Sequence, residues 1–334
     1  MQKLELFNAF KALNHTDKDD KDFPVLPLNE TNHKLGVSKE GYPMLFICTS
    51  DSSYAAPIPL LDMLSVEYNA SCTFIDDTNI SFPHHYTIIT LHSLDELLQE
   101  EFLDLILMIV SRISGTPSKR EISIEVENLI SIFSALTCPP RKKIQGLWGE
   151  LLVIEQSFLP ETLINAWHSE LSAKYDFTMG RDKIEVKTTS SETREHHFSL
   201  DQLSPSAHSR VVVASMIVRN SAQGSGGLSI DDLYIKICDK VASVDAKMRL
   251  MQIVSETIGS DFHCLKEVCF DYIEACDSLR FYNAQDVPRI PKDSVQPGVS
   301  SVGFTSNLTG IVDIQSSESS FERGESPLYK SLFK

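Results

Sequence analysis

The chain has seven cysteines in 334 residues, an odd number, and no CxxC pair among them. This argues against a zinc module and for a reducing compartment. Long hydrophobic runs are missing: the most apolar stretch, 102–113, is too short to span a bilayer and contains Asp104 and Arg112. MQKLELFNAF at the start has no apolar h-region, so a secretory signal is not expected. A cytoplasmic protein without a membrane partner is the expectation. G-x-S-x-G, the P-loop and the dinucleotide fingerprint are absent as well, which leaves a metabolic hydrolase without support. There are no internal repeats.

Basic charge is scarce too. The net charge is −16, which on its face disfavours a nucleic-acid partner, because such affinity rests on phosphate neutralisation. The distribution changes that conclusion. Residues 141–219 hold ten Lys/Arg and ten Asp/Glu; the remainder holds 20 basic and 36 acidic residues and carries the whole excess. A cation bound among the acids of the neutral segment would make it positive. The acidic flanks suit solubility or a basic protein partner.

Length predicts two or three domains. A helix is expected near the N-terminus, from Leu4, Phe7, Phe10 and Leu13, ended by HTDKDDKD. Strand candidates follow at 24–27, 42–48, 66–68, 72–75 and 86–91. Ser93 with Glu96 has capping-box spacing and starts a helix to about Ile113; a second covers about Ile122–Leu136. Further on, 194–198, 210–218, 233–237, 269–273, 279–282 and 299–304 read as strands and 241–259 as a helix. Ser199 is expected to cap a helix containing Gln202. The expected division is a β-rich domain over 1–120, a core over 121–250, an α/β extension over 251–315, and a loosely held tail over 316–334.

The centre of the chain is Tyr175-Asp-Phe-Thr-Met-Gly-Arg-Asp-Lys-Ile-Glu-Val-Lys187. It reads as two strands around Gly180-Arg181, with glycine at the first central position of a type II′ turn. Met179 then faces Asp182 and, counting outward, Asp176 faces Glu185. Two carboxylates meet at roughly 4.5–5.5 Å between Cβ atoms, with Lys187 on the same face one step along. Like charges in opposition are unfavourable unless a cation sits between them, and a hard divalent cation with oxygen ligands fits. A solvated hairpin face is the competing reading.

The segment RKKIQGLWGELLVIEQSFLP carries an apolar helical stripe of Leu147, Leu151, Ile154 and Phe158 with Glu150 beside it. A glutamate next to a buried face is either a functional ligand or one reaching past the core edge to water. Arg141-Lys142-Lys143 is either a phosphate-backbone contact or a solvated helix start, and Trp148 and Trp167 read as core.

Taken in order, Gly146-x-x-Gly149-Glu150, Tyr175-Asp-Phe177, Ile184-Glu-Val-Lys-Thr-Thr189 and His196-x-Phe-Ser-x-x-Gln-Leu203 resemble the PD-(D/E)XK phosphodiesterase superfamily of restriction-type nucleases. They resemble more narrowly a bacterial family associated with phage-defence and restriction gene clusters. The resemblance covers about 141–240 well and the flanks more loosely. It departs at Tyr175, where the superfamily has proline, which removes no chemistry. It implies an α/β (α+β) fold with a restriction-endonuclease-like mixed central sheet flanked by helices, an added N-terminal β-rich domain and a C-terminal strand-rich extension. Asp176 and Glu185 would hold Mg²⁺, or Mn²⁺, with the backbone carbonyl of Val186. Lys187 would orient or activate the attacking water. Glu150 would complete the outer shell of the metal or bind a second ion. Arg194, His197 and Gln202 come next: the histidine to contact phosphate or protonate a leaving group, the glutamine to bond the metal-bound water or Lys187. A structural histidine and a solvated glutamine are the competing readings.

The implied activity is metal-dependent hydrolysis of DNA phosphodiester bonds in an anti-phage or restriction system, with ATPase- or helicase-like partners. A homo-oligomer fits the same reading, since many such nucleases dimerise to cut both strands. The alternative is a non-cutting nucleic-acid-binding or assembly subunit. An intact Asp176, Glu185 and Lys187 set favours catalysis, because a scaffold has no use for it.

Overall fold

The structure, a computed structural model, describes residues 3–13, 24–28, 31–49, 63–73, 83–140, 142–168, 174–205, 209–222, 226–315 and 326–333. Arg141, the stretch HTDKDDKD (15–22) and the Ser/Glu-rich stretch 316–325 lie outside the described residues. The chain divides into two compact units, Met1–Cys138 and Pro139–Lys334. The division follows the second long helix.

The first unit runs α1 (Lys3–Ala12), β1 (Val25–Pro27), β2 (Lys34–Val37), β3 (Pro43–Cys48), β4 (Leu64–Thr73), β5 (Pro83–Leu91), α2 (Glu96–Arg112) and α3 (Lys119–Ala135). The strands form one antiparallel sheet in the order β1-β2-β3-β5-β4. Central β3 is buried along its whole length. Met44, Phe46 and Cys48 pack with Tyr86 and Ile88 in one apolar cluster, while Leu45 and Ile47 take the other face by the period of two. Asp95, not Ser93, caps α2, its carboxylate accepting from the Leu97 and Leu98 amides. Ser93 instead accepts from the Asp95 amide, one step upstream. The strand candidates at 66 and 72 are one strand, β4, joined through a bulge between Glu67 and Ala70 where Asn69 takes φ +58°. Residues 74–75 of the second candidate lie outside the described residues.

The second unit continues with α4 (Ile144–Glu155), α5 (Pro160–Ala166), β6 (Phe177–Met179), β7 (Asp182–Thr189), β8 (Glu195–Ser199), β9 (Arg210–Ile217), β10 (Gly227–Leu228), α6 (Ile230–Lys240), α7 (Val244–Ile258), α8 (Cys264–Glu267), β11 (Phe270–Asp271), α9 (Tyr272–Ser278), β12 (Arg280–Asn283), β13 (Gly303–Asn307) and α10 (Pro327–Lys330). Its sheet has the order β12-β9-β7-β6. β7 is antiparallel to β6 and parallel to β9, and β12 is antiparallel to β9. This is the mixed sheet expected. β9 reads Val-Val-Val-Ala-Ser-Met and is buried from Val211 to Met216, as a strand covered on both faces must be.

Four local expectations are corrected. Leu233-Tyr-Ile-Lys-Ile is helical, in α6, despite its strand-like composition. Ser229 and Asp232 form a capping box, and Ile230, Leu233, Tyr234 and Ile237 bury one helical face. Only Phe270–Asp271 of the 269–273 candidate is strand; Asp271 caps α9 immediately after it. β12, expected in a separate extension, is an edge strand of the central sheet. The chain end is not loosely held over 326–333, where Leu328, Tyr329, Leu332 and Phe333 are buried. The Tyr329 hydroxyl donates to the Arg210 carbonyl at 2.8 Å.

Among the described residues no helix is long and apolar enough to cross a membrane.

Candidate active site

The site is built on the hairpin. Met179 pairs with Asp182, Thr178 with Lys183 and Phe177 with Ile184. Gly180 has φ +57° and Arg181 has no positive φ, the type II′ pattern, in which the first central residue needs glycine. The register aligns Phe177 and Ile184, both fully buried, and puts Asp176 one step beyond β6 beside Glu185 and Val186. Asp176 Oδ2 accepts the Val186 amide at 2.8 Å. Glu185 and Lys187 share a face of β7, and Lys187 Nζ lies 2.7 Å from Glu185 Oε1 and 5.0 Å above the Phe198 ring.

Glu150 reaches the site from α4, which crosses close to β7. A Cβ on Gly149 would fall 2.3 Å from Thr188 Cγ2, so only glycine lets the helix approach this far. Three groups hold the Glu150 carboxylate. Trp167 Nε1 donates to Oε2 at 2.7 Å, His168 Nε2 lies 2.9 Å from Oε2, and Lys142 Nζ lies 2.6 Å from Oε1. Lys142 is also 2.6 Å from Asp176 Oδ1. His168 is held in the left-handed region at φ +40°, with its amide bonded to the Asp176 carbonyl. Such a conformation in a non-glycine residue costs on the order of 1–3 kcal/mol, and here it turns the imidazole towards Glu150.

Gln202 arrives on a turn, not on a helix. Its side chain accepts the Ser199 amide, and Ser199 Oγ accepts its own amide. The Tyr175 hydroxyl ties the turn to the hairpin through the carbonyls of Asp201 and Gln202. Gln202 Nε2 then donates to Glu185 Oε1 at 2.6 Å. Oε1 of Glu185 is thus doubly served, while Oε2 is buried with no hydrogen-bond partner among the described residues.

The electrostatics are those of acids crowded out of water. Burial, then the neighbouring Asp176 charge, pushes the Glu185 carboxyl up to about 8. Burial and then Glu150 push Asp176 up, against the pull of Lys142 and the Val186 amide. Burial would raise Glu150 as well, but His168 and Lys142 reverse this and hold it below the usual carboxylate range. For Lys142, burial acts downward and is outweighed by Glu150 and Asp176, which raise it above ordinary lysine. The face that carries Glu185 and Lys187 is therefore not a solvated surface: Glu185 is 4 % exposed. Glu150, His168 and Asp176 each offer an atom within 4.8 Å of one another, a grouping able to hold a cation.

Of the residues predicted from sequence, the structure brings Asp176, Glu185, Val186, Lys187, Glu150 and Gln202 together. It separates Arg194 and His197 from them. Arg194 donates to Ser215 O and Oγ, both at 2.9 Å, and to the Ser278 carbonyl, so its guanidinium pins β9 to the end of α9. Arg194→Ala leaves these acceptors unmet and lowers stability by about 1–3 kcal/mol, read as a fall in melting temperature with metal affinity unchanged. His197 is exposed, its ring against Gly303 of β13.

β8 pairs with β13 in a separate two-stranded sheet, and it turns His196 inward instead. His196 is buried, 2.8 Å from Ser215 Oγ. Burial, then Lys187 and Arg194, pulls it down to about 4. The His-x-Phe-Ser motif begins at His196, the histidine that is buried. Lys142 and His168 had no such signal. Lys142 turns into the carboxylates and not out to a phosphate backbone; Lys143 is exposed. Trp148 and Trp167 are core, both fully buried, though Trp167 also serves Glu150.

No curated protein and no solved structure matches the chain. A family model does, over residues 6–309, under the description "Putative PD-(D/E)XK family member, (DUF4420)". The restriction-endonuclease-like α+β fold, the hairpin that gathers Asp176, Glu185 and Lys187, and this match across most of its length agree: the chain belongs to the PD-(D/E)XK family DUF4420.

Proposed function

We propose that the protein is a nuclease that hydrolyses DNA phosphodiester bonds with a divalent metal, and that it works in a bacterial anti-phage or restriction system beside other proteins. The observation that carries the reading is the unpartnered, buried Oε2 of Glu185 next to Asp176. A protein folded only for stability would not bury an unsatisfied acidic oxygen beside a second carboxylate, since that costs on the order of 1–3 kcal/mol or more. Oxygen donors of this kind fit a hard cation.

Asp176, Glu185 and the backbone carbonyl of Val186 would hold Mg²⁺ or Mn²⁺, which when bound supplies Lewis-acid charge at the phosphoryl group and lowers the pKa of a bound water. The chain does the rest. Gln202 and Lys187 fix one oxygen of Glu185 and leave the other free. The Val186 amide fixes Asp176. Lys187 stands where its ammonium can orient an attacking water and meet the charge that grows on the phosphate. Trp167 and His168 hold Glu150 at the rear of the pocket, as outer support or as ligand to a second ion. DNA as substrate, partners of ATPase or helicase type and a cytoplasmic setting rest on the family resemblance and on the neutral central segment between acidic flanks.

Cutting of supercoiled and linear DNA tests this. The wild type is expected to cut with Mg²⁺ or Mn²⁺ and to stop in EDTA. Lys187→Ala is expected still to bind the metal and to lose roughly 10²–10⁴-fold in rate. Metal binding without cutting of either DNA would support the assembly-subunit reading in its place.

A further inference from the structure

Lys142 touches two of the buried carboxylates, and the proposed chemistry gives it no task. Its ammonium lies 2.6 Å from Glu150 Oε1 and 2.6 Å from Asp176 Oδ1; the Val186 amide takes the other Asp176 oxygen, so Oδ1 is the one a cation entering the site needs. Three buried carboxylates in one pocket cannot all stay ionised without a positive charge among them, and this lysine supplies it. It is also the member that can leave. Its side chain is 34 % exposed, against 3 % for Glu150 and 9 % for Asp176. It precedes the N-cap Lys143 of α4, so no helical hydrogen bond restrains its swing.

We infer that Lys142 is a built-in counter-cation that holds the carboxylate pocket closed, and that a divalent ion loads by exchange with its ammonium. The inference rests on the proposed metal-dependent function and adds a mode of regulation to it. Two positive charges cannot share Asp176 Oδ1 at close range in a pocket this dry, because their repulsion grows as the effective dielectric falls. Metal entry therefore drives the ammonium outward, towards the solvent that its side chain already reaches. There it can meet a phosphate group. Substrate phosphate and metal then favour one another, and the free enzyme stays weakly loaded.

The test is a calorimetric titration of the full chain with Mn²⁺ alone, together with melting curves with and without Mn²⁺. The proteins compared are wild type, Lys142→Met, Lys142→Gln and Lys142→Arg. The glutamine variant keeps hydrogen-bond donors for the carboxylates without the charge, and is read in the same way if the methionine variant does not fold. Exchange predicts that Lys142→Met and Lys142→Gln bind Mn²⁺ at least about tenfold tighter than wild type. It predicts that their metal-free forms melt lower and gain more from Mn²⁺, and that Lys142→Arg stays as weak as wild type. Equal or weaker binding in the neutral variants overturns the inference and leaves the metal site standing, with Lys142 a fixed support of the carboxylates. No Mn²⁺ binding by any of the four overturns the proposed function and the inference together.

Discussion

Glu185→Gln is expected to lower metal-dependent cleavage by roughly 10²–10³-fold or more and, at the same time, to make the metal-free protein more stable at pH 8. The first effect follows from losing the free carboxylate oxygen. The second follows from the sign of the pKa change. Burial and Asp176 raise the Glu185 carboxyl from 4.5 to about 8 in the folded protein. The folded chain therefore keeps a proton that the unfolded chain gives up. That contribution to stability is complete below the ordinary glutamate range and is lost as pH rises through about 8. Glutamine carries no charge at any pH and still offers an oxygen to Gln202 and Lys187. The gain at pH 8 is on the order of a few kcal/mol, or several degrees at roughly 2–4 °C per kcal/mol for a unit of this size. Melting curves in EDTA between pH 4 and 9 check it. The two proteins should converge at low pH and separate as pH rises; parallel curves would refute the electrostatic account of the site.

Ile184→Asp is expected to abolish folding of the second unit, while Lys187→Ala, three residues along the same strand, leaves it folded. Ile184 is fully buried, flanked by Phe177 on β6 and Val212 on β9. The aspartate forfeits its apolar burial, about 2–5 kcal/mol for the loss of such a side chain. It adds an unpaired buried carboxylate at several kcal/mol more, enough to exhaust a typical domain stability of about 5–15 kcal/mol. Lys187 gives up one ion pair, and its carboxylate partner can take a proton in compensation. Circular dichroism and melting curves separate the two. Equal stability would contradict the register of β6 on β7.

The register was legible because two short-range rules, the period of two and the demand of a type II′ turn for glycine, determine which residues of the hairpin face one another. The same rules could not say what covers the face bearing Glu185 and Lys187, which depends on where Gln202 and Phe198 return from later in the chain. For β8, alternation correctly separated His196 from His197. Which of the two turns inward to Ser215 was decided by the pairing of β8 with β13, more than a hundred residues on. Where Arg194 goes was hidden for the same reason: a guanidinium looks alike in sequence whether it faces solvent or the backbone carbonyls of Ser215 and Ser278. In α6, β-favouring side chains hid a helix that the Ser229 and Asp232 capping pair announces. Lys142 and His168 escaped because they act through a flexible side chain and a left-handed residue, neither of which leaves a spacing to read.

The central claim is that Asp176 and Glu185 form a metal-binding nuclease centre. Calorimetric titration of Mg²⁺ and Mn²⁺ into wild type and Asp176→Ala, each checked for folding, tests it most directly. The account predicts saturable binding by the wild type and its loss in the variant. Equal binding by both would place the metal elsewhere, and no binding by the folded wild type would leave the hairpin without the chemistry assigned to it.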